Sequence, residues 1–354
     1  MGSDVAIIGA GIVGCSTAYF LARAGVAVTV YDAAGVAAGA SGRNNGIVEH
    51  PYDAPSAPLF HESVELMRDW LGAAMPREPV GALLLADDER GAQALLEHYA
   101  QFRELKPTLL DPDAARREEP LLAEGLWGCL LETGYPLNPA DATNVAAERA
   151  RRAGAEFVLG AAVSLERLRA SGREVVVAAG ASSTAVLGGL VRSDAVKPLW
   201  GVIVLVELPA GPRRPVIEGT VTRGLTTGRI THEAPFTLLP SPGWLAVGST
   251  LIEGQEPRAE DWGPRLLRQG ARFVPSIEQA RVRSALVCAR PKSFDNRPIL
   301  GRVPGEERLW LASGHGGRGM SLGAASGRLI ADAIIAGSDA AIPAALGTAR
   351  LSAR

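Results

Sequence analysis

The chain has 354 residues, of which 21% are charged and 47% hydrophobic, and its formal net charge is −2. This length predicts one large domain or two interleaved ones, and the composition is typical of a globular enzyme. Since no basic run or stripe occurs, we expect neither nucleic acid nor an anionic membrane as a partner.

Cysteine and histidine are sparse, and neither forms a metal-binding pattern. Cys15, Cys129 and Cys288 lie far apart in the sequence, so we expect reduced thiols and a cytoplasmic protein. The five histidines are equally scattered. We expect no signal peptide, because the N-terminus enters an apolar segment almost at once, and no membrane span, because no run of about 18 apolar residues occurs.

The first predicted elements form a βαβ unit. Residues 5–8 are a short apolar run, as expected of a buried parallel strand. Residues 12–24 predict a helix that ends at Gly25, and residues 26–31 predict a second strand. The unit closes within about 30 residues, which is the usual length of this motif.

The remaining chain alternates helical and strand patterns after a loop, residues 33–58, for which we predict one helical stretch. Helices are predicted at residues 57–71, 89–104, 111–119, 139–153 (with Asn138 as the cap), 262–273 and 323–335. Strands are predicted at residues 80–86, 126–132, 156–159, 163–168, 174–178, 202–207, 236–239, 244–249 and 309–312.

These patterns predict a mixed α/β (α+β) fold with two interleaved domains. The α/β signal lies at both ends and in the middle of the chain, and a mixed β signal lies between. We therefore assign residues 1–80, 138–195 and 290–354 to a first domain, and residues 81–137 and 196–289 to a second.

The strongest motif is Gly9-Ala10-Gly11-Ile12-Val13-Gly14, which joins the first strand to the first helix. Gly9 permits the tight turn, Gly11 lets the backbone approach a pyrophosphate, and Gly14 lets the helix pack close to the sheet. Asp32 follows the second strand, where a carboxylate accepts hydrogen bonds from ribose hydroxyls. The motif in this context predicts a Rossmann-like dinucleotide site; a purely structural glycine turn would not account for Asp32.

Three further segments indicate which dinucleotide is bound. They are residues 39–46 (GASGRNNG), residues 175–182 (VVVAAGAS), and the pair of residues 289–301 and 309–320, which contains RPxxxDxxPxxG and GHGGxG. With these segments the chain resembles the FAD-dependent D-amino-acid oxidase family, which includes glycine oxidase and monomeric sarcosine oxidase. The resemblance covers nearly the whole chain.

This resemblance implies an FAD-binding domain interleaved with an antiparallel-sheet substrate domain, the first and second domains assigned above. It also implies oxidation of a C–N bond of an amino acid or amine by hydride transfer to flavin N5. Cys288 does not match the position of covalent flavin attachment in some relatives, so we expect non-covalent FAD.

The resemblance also implies which residues contact FAD. The pyrophosphate would meet Gly9, Gly11, Ile12, Val13 and Gly14, and the ribose would meet Asp32. The loop under the flavin would be Ser41, Gly42, Arg43, Asn44, Asn45 and Gly46, while Val163, Ala179 and Gly180 would meet the adenine side and the dinucleotide. The pyrimidine end of the flavin would be surrounded by Gly314, His315, Gly316, Gly317, Arg318, Gly319 and Met320, whose N–H groups would stabilise the reduced anion.

Three residues are candidates for the chemistry. The resemblance implies that Arg290 binds the substrate carboxylate, since a planar guanidinium can form two hydrogen bonds to it. The alternative is that Arg290 forms a surface ion pair. His50 is a candidate base near the flavin, since alcohol oxidation needs one; the alternative is a structural histidine in a loop. His232, with Thr237, is expected on the substrate sheet, and Tyr52 and Trp200 are candidate walls of the pocket.

The expected function is FAD-dependent oxidation of a small substrate that carries a carboxylate, with oxygen or another molecule as the electron acceptor. No tyrosine stands clearly where amino-acid oxidases of this family place one beside the substrate carboxylate, so the substrate is left open. Two alternatives are kept. One is an FAD-dependent 2-hydroxy-acid dehydrogenase with His50 as base, and the other is a flavin-binding subunit of a larger complex.

Overall fold

The computed structural model describes residues 4–219, 234–241 and 244–352. Elements are numbered along these ranges. The helices are α1 (Ile12–Arg23), α2 (Ala57–Leu71), α3 (Glu89–Tyr99), α4 (Pro112–Glu118), α5 (Pro139–Arg152), α6 (Leu165–Ala170), α7 (Ser183–Leu187), α8 (Ala259–Ala271) and α9 (Gly319–Ala336). The strands are β1 (Val5–Ile8), β2 (Val28–Asp32), β3 (Ile47–Val48), β4 (Ala82–Ala86), β5 (Thr108–Leu110), β6 (Trp127–Leu131), β7 (Tyr135–Pro136), β8 (Glu156–Leu159), β9 (Glu174–Val177), β10 (Val196–Glu207), β11 (Val216–Glu218), β12 (Thr237–Ser241), β13 (Trp244–Gly248), β14 (Ile252–Glu253), β15 (Arg281–Ser293), β16 (Ile299–Arg302) and β17 (Leu309–Ser313).

A six-stranded sheet carries the βαβ unit. Its order is β16-β17-β9-β1-β2-β8, and every pair is parallel except β16–β17. β1 is buried on both faces, since Val5 and Ile7 belong to one apolar core and Ala6 and Ile8 to another. Parallel strands that are covered on both sides read as continuous apolar runs, which is why this segment was recognisable in the sequence.

Helices α1 and α9 pack together over one face of this sheet. Their close approach depends on glycine, because a Cβ at Gly327 would lie 2.5 Å from the Ser16 Cβ. A Cβ at Gly323 would lie 2.8 Å from a methyl carbon of Ile12. The start and the end of the chain are thus joined in one core.

A nine-stranded sheet forms the second layer. Its order is β14-β10-β13-β12-β11-β4-β6-β5, with β15 paired to β10, and its pairs are antiparallel except β11–β4. The chain enters this sheet twice, with β4 to β6 and again with β10 to β15. The expected mixed α/β class is confirmed, while the domain boundaries stay a prediction.

Several element predictions were wrong. The strand predicted at residues 163–168 is instead helix α6, whose first turn is capped by the Ser164 hydroxyl accepting from the Arg167 N–H at 3.4 Å. No helix forms in residues 33–56, which are turn and loop with the short strand β3 up to the start of α2. The helix predicted at residues 89–104 ends at Tyr99, and the long strand β15 was missed.

The predicted helix cap at Asn138 is confirmed. Asn138 caps α5, with its side-chain oxygen accepting from the N–H groups of Ala140 and Asp141. Within the described ranges, no helix combines the length and the apolar character needed to cross a membrane.

Candidate active site

A cavity of about 650 Å³ lies where the two sheets meet. On one side it is lined by residues at the carboxyl ends of parallel strands, among them Ile8, Asp32 and Ala178. On the other side it is lined by apolar residues of the large sheet, such as Ile203 and Leu239. The carboxyl edge of an open parallel sheet is where this type of fold binds its ligands.

The glycines of the first turn form a cradle at the N-terminus of α1. Gly9 has φ 115°, and a Cβ there would lie 2.3 Å from the Ala178 carbonyl oxygen. A Cβ at Gly14 would lie 1.9 Å from the carbonyl oxygen of Gly9. Gly11 is the helix cap and has no side chain, and among the described residues only the Ser41 hydroxyl meets an N–H group of the first turn, that of Ile12. Those N–H groups and the helix dipole favour a phosphate.

Asp32 ends β2 at the rim of this cradle. Its Oδ2 accepts from the Ala10 N–H at 2.8 Å, and its Oδ1 accepts from the N–H groups of Ala34 and Gly35, both at 2.9 Å. Three backbone donors therefore fix the carboxylate in one orientation. Oδ2, which accepts only one of these bonds, keeps a lone pair for a further donor, such as a ribose hydroxyl.

The loop of residues 41–46 closes over the cradle. The Ser41 hydroxyl accepts from the Ile12 N–H at 3.0 Å. The Asn44 amide donates to the Ala40 carbonyl at 2.8 Å and accepts from the Gly46 N–H at 2.9 Å. The Ser41 bond fixes the loop to the start of α1, and the two Asn44 bonds fix the conformation of the loop itself.

A second glycine-rich turn precedes α9 on the opposite side of the cavity. His315 is buried there, and its Nε2 lies 3.0 Å from the Ser326 hydroxyl. Burial lowers the pKa of His315 to about 4, so the ring is neutral at pH 7 and acts to position the turn. Gly316 has φ 55°, in the left-handed region that favours glycine.

Most residues predicted to contact FAD line this one cavity. The residues that do so are Gly9, Gly11, Ile12, Val13, Asp32, Ser41, Arg43, Asn44, Asn45, Val163, Ala179, Gly180, His315, Gly316, Gly317, Arg318, Gly319 and Met320. Gly14, Gly42, Gly46 and Gly314 do not line it. At Gly42 a Cβ would lie 2.2 Å from the Ala37 carbonyl oxygen, and at Gly314 it would lie 3.0 Å from the Ser293 Cβ. These two glycines therefore permit close backbone packing around the cavity.

Arg290 reaches the cavity from β15. Its Nη1 donates to the Thr250 carbonyl at 2.8 Å, and its Nη2 donates to the Ser249 hydroxyl at 2.9 Å. A Cβ at Gly201 would lie 2.5 Å from Nη1, so the neighbouring strand leaves room for the guanidinium. Burial lowers the pKa of Arg290, but arginine keeps its charge at every physiological pH.

The structure does not support His50 as a base beside the flavin. His50 is fully buried and is not among the residues that line the cavity. Its Nδ1 accepts from the Tyr52 N–H at 3.1 Å, so Nε2 carries the proton and faces the Glu104 carboxylate at 3.1 Å. Burial lowers the pKa of His50 to about 4, against the opposing effect of Glu104. The other candidate base, His232, lies outside the described residues.

The structure brings in one charged residue that the sequence reasoning missed. Glu49 follows β3, lines the cavity, and has a buried Oε2 with no hydrogen-bond partner in the described part of the chain. Tyr52 and Thr237, which also line the cavity, each have a buried hydroxyl in the same condition. Burial raises the pKa of Glu49 to about 7, and nearby Arg318 and Tyr52 partly oppose that rise.

These features fit FAD. The cradle excludes side chains where a pyrophosphate has to approach, Asp32 is held where a ribose would lie, and the cavity continues to the glycine turn before α9. The model of the FAD dependent oxidoreductase family matches residues 4–333. The chain belongs to this family. It is therefore an FAD-dependent oxidoreductase, as the sequence predicted.

Known proteins of similar sequence and fold agree with this assignment. Glycine oxidase of Geobacillus kaustophilus (strain HTA426) is 29% identical over 94% of this chain and 92% of its own length. The crystal structure of glycine oxidase from Geobacillus kaustophilus has a TM-score of 0.82, with 24% identity and 99% of both chains covered. Iminodiacetate oxidase from Chelativorans sp. BNC1 has a TM-score of 0.77, with 24% identity and 97% and 98% covered. At this identity, the two structures support the fold.

Proposed function

We propose that the protein oxidises the C–N bond of a small amino acid or amine that carries a carboxylate, and that Arg290 binds this carboxylate. The observation that carries the proposal is the Arg290 guanidinium, which lies in the cavity and forms no ion pair with any residue that the structure describes. Its two bonds to neutral oxygens orient the fork and leave N–H donors for a ligand. The likeness to glycine oxidases supports an amino-acid substrate.

Different residues of the chain would bind the cofactor, orient the substrate and exclude water in such a reaction. FAD, when bound, supplies the hydride acceptor. The cradle at Gly9 to Gly14 and the loop at residues 41–46 hold the cofactor, while Arg290 orients the substrate through its carboxylate. Apolar residues such as Ile203 and Leu239 exclude water from the reacting carbon. A neutral amine needs no strong base for hydride transfer, which suits a site where His315 stays neutral and His50 faces away.

A 2-hydroxy acid is the second candidate substrate, and a subunit role in a larger complex is the third possibility. Oxidation of an alcohol calls for a base at the hydroxyl, and the position of His50 weakens that alternative. Anaerobic mixing of the holoenzyme with D-amino acids, glycine derivatives and 2-hydroxy acids tests all three. We expect amines with a carboxylate to bleach the oxidised flavin. Bleaching by hydroxy acids alone, or by nothing without a partner protein, would replace the proposal.

The electron acceptor and the mode of FAD binding form the last part of the proposal. We favour oxygen as acceptor, which admission of air to the bleached enzyme tests through recovery of the flavin spectrum. We also expect non-covalent FAD, although Cys288 lines the cavity. Acid precipitation should leave the flavin in solution; flavin that stays with the protein, and is released in Cys288→Ser, would contradict this. The free, buried thiols support a cytoplasmic location.

A further inference from the structure

Apart from Asp32, which three backbone N–H groups hold, three charged side chains of the cavity are neither exposed to solvent nor ion-paired with residues that the structure describes. They are Glu49, Arg290 and Arg318. The Oε2 atom of Glu49 is buried without a hydrogen-bond partner in the described chain, and the described groups near Arg318 act on it through charge, with no side-chain hydrogen bond among them. A buried charge without a partner is costly, so such groups are retained where a ligand satisfies them.

The two arginines serve different parts of the cavity. The charges and hydroxyls that act on Arg318 are those of Glu49, Asp53, Tyr52 and Tyr99. None of these is among the groups that act on Arg290, whose titratable neighbour is Cys288, a thiol kept neutral because burial raises its pKa. Glu49 and Arg318 are near enough to affect each other, yet they form no ion pair. A ligand can therefore contact both of them separately.

The remaining charged residues of the cavity wall are accounted for. Asp32 is held by three backbone N–H groups, Lys292 pairs with Glu253, and Arg43 donates to the Ala38 carbonyl. Glu256 is exposed to solvent. Arg43 is exposed as well, so the partly buried charges without an ion-pair partner in the described chain are two guanidinium groups and one carboxylate. Their chemical complement is a molecule with two carboxylates and one amino group.

We propose that Glu49 and Arg318 make the enzyme selective for an amino dicarboxylate. Arg318 binds the second carboxylate, Glu49 accepts hydrogen bonds from the amino group, and Arg290 keeps the first carboxylate. The hydroxyls of Tyr52 and Thr237, which have no other partner in the described part of the chain, complete the polar surface. This inference rests on the proposed function, because it assigns the substrate class of the same reaction.

The test compares amino dicarboxylates with their monoamides or, for iminodiacetate, with an analogue that lacks the second carboxylate. Aspartate and glutamate, as both enantiomers, are set against asparagine and glutamine, and iminodiacetate is set against N-methylglycine. Loss of a charged hydrogen-bonded pair costs roughly 10- to 100-fold, so we expect the dicarboxylates to be favoured in kcat/KM by about that ratio. Equal rates for the acid and its amide in the wild-type enzyme would overturn the inference.

Arg318→Gln should reduce this preference to about threefold or less, mainly through KM, while the KM for monocarboxylate substrates stays within about threefold. Arg318→Lys keeps the charge and should retain part of the preference, which also covers the case where the glutamine variant fails to fold. Glu256→Gln is the matched control, because it removes an exposed charge from the same wall. An equal loss for both substrate classes in Arg318→Gln would contradict selection by Arg318.

Glu49→Gln provides an independent readout. The groups that face Glu49 are Arg318 and Tyr52, and with a pKa of about 7 the carboxylate forms as the pH rises through neutrality. KM for amine substrates should therefore fall more steeply from pH 6 to pH 8 in the wild type than in the variant, which keeps only the dependence that comes from deprotonation of the substrate amine. An unchanged profile would remove Glu49 from the site. If no amine bleaches the wild-type flavin, the proposed function fails; if amines bleach it without regard to the second carboxylate, only this inference fails.

Discussion

The two ends of the cavity are built on different principles. At the cofactor end, the side chain of Asp32 is held in place by three backbone donors, and backbone N–H groups face the space for the ligand. At the substrate end, buried oxygens of Glu49, Tyr52 and Thr237 have no partner in the described chain. The cofactor end is shaped by glycines, which leave space because they have no side chain. The substrate end is shaped by charged and polar side chains that a ligand can bind.

This difference predicts how each end responds to mutation. A cradle made of backbone and missing side chains fails by collision, so a single added methyl group should have a large effect. A surface made of charged side chains fails by losing hydrogen bonds, so its mutations should change substrate affinity while the fold and the cofactor remain.

The largest effect is expected for Gly14→Ala. Alanine is the better helix former, yet its Cβ would lie 1.9 Å from the Gly9 carbonyl oxygen, and backbone cannot easily move away. We expect a loss of about 3 kcal/mol or more in the free energy of unfolding, measured in urea. Gly189→Ala is the control, since a Cβ there meets nothing within 4 Å. Equal stability of the two variants would show that the cradle adapts to side chains.

Gly11→Val should act on the cofactor and spare the fold. Its Cβ would meet only the Ser41 side chain, at 3.0 Å for the hydroxyl oxygen, so the protein can accommodate it, but valine methyls would occupy the space of the pyrophosphate. We expect soluble protein that purifies without flavin. Full flavin occupancy, measured from the absorbance ratio of flavin to protein, would contradict the assignment of this turn.

Arg290→Ala should keep FAD and lose substrate. Removal of a bidentate charged contact costs about 1.5–3 kcal/mol, so KM for carboxylate substrates should rise roughly 10- to 100-fold. Steady-state kinetics and flavin titration on the same preparation separate the two effects. Lys292→Gln, which removes a cation that is already paired with Glu253, is the control. Unchanged kinetics in Arg290→Ala would refute the carboxylate role.

The smallest effect is expected for Ser249→Ala. The serine hydroxyl accepts from Nη2 of Arg290, and the other bond, to the Thr250 carbonyl, remains in the variant. Losing one neutral acceptor costs about 1 kcal/mol, so KM should rise by about fivefold with kcat nearly unchanged. A change as large as that of Arg290→Ala would mean that the guanidinium depends on this single bond for its position.

The cofactor end could be predicted from sequence because its signals are local. The strand, the glycine turn, the helix and Asp32 all lie within 32 residues, and each glycine has a spacing set by backbone geometry. The same holds for buried parallel strands such as β9, which are continuous apolar runs. Strand β15 was missed because its first residues, from Arg281 to Ala285, are exposed and mix charged with apolar side chains. Its pairing with β10 is a long-range contact that leaves no local pattern.

The substrate end could be predicted only in part, because its residues come from separate elements. Arg290 was found through its motif, but Glu49 lies in a short strand-to-loop connection with no pattern around it. His50, its neighbour, seemed the better candidate because histidine is the usual base. Both residues directly follow β3, and in extended chain adjacent side chains face opposite ways, so only the fold decides which one enters the cavity.

The packing of α1 against α9 has a consequence for synthesis of the protein. At about 5–20 residues per second, α9 leaves the ribosome roughly 15 to 60 s after the glycine cradle has been made. During that interval Ile12 and Ser16 lack the surface formed around Gly323 and Gly327. The face of α1 that packs on α9 therefore stays uncovered in the nascent βαβ unit until α9 has been made.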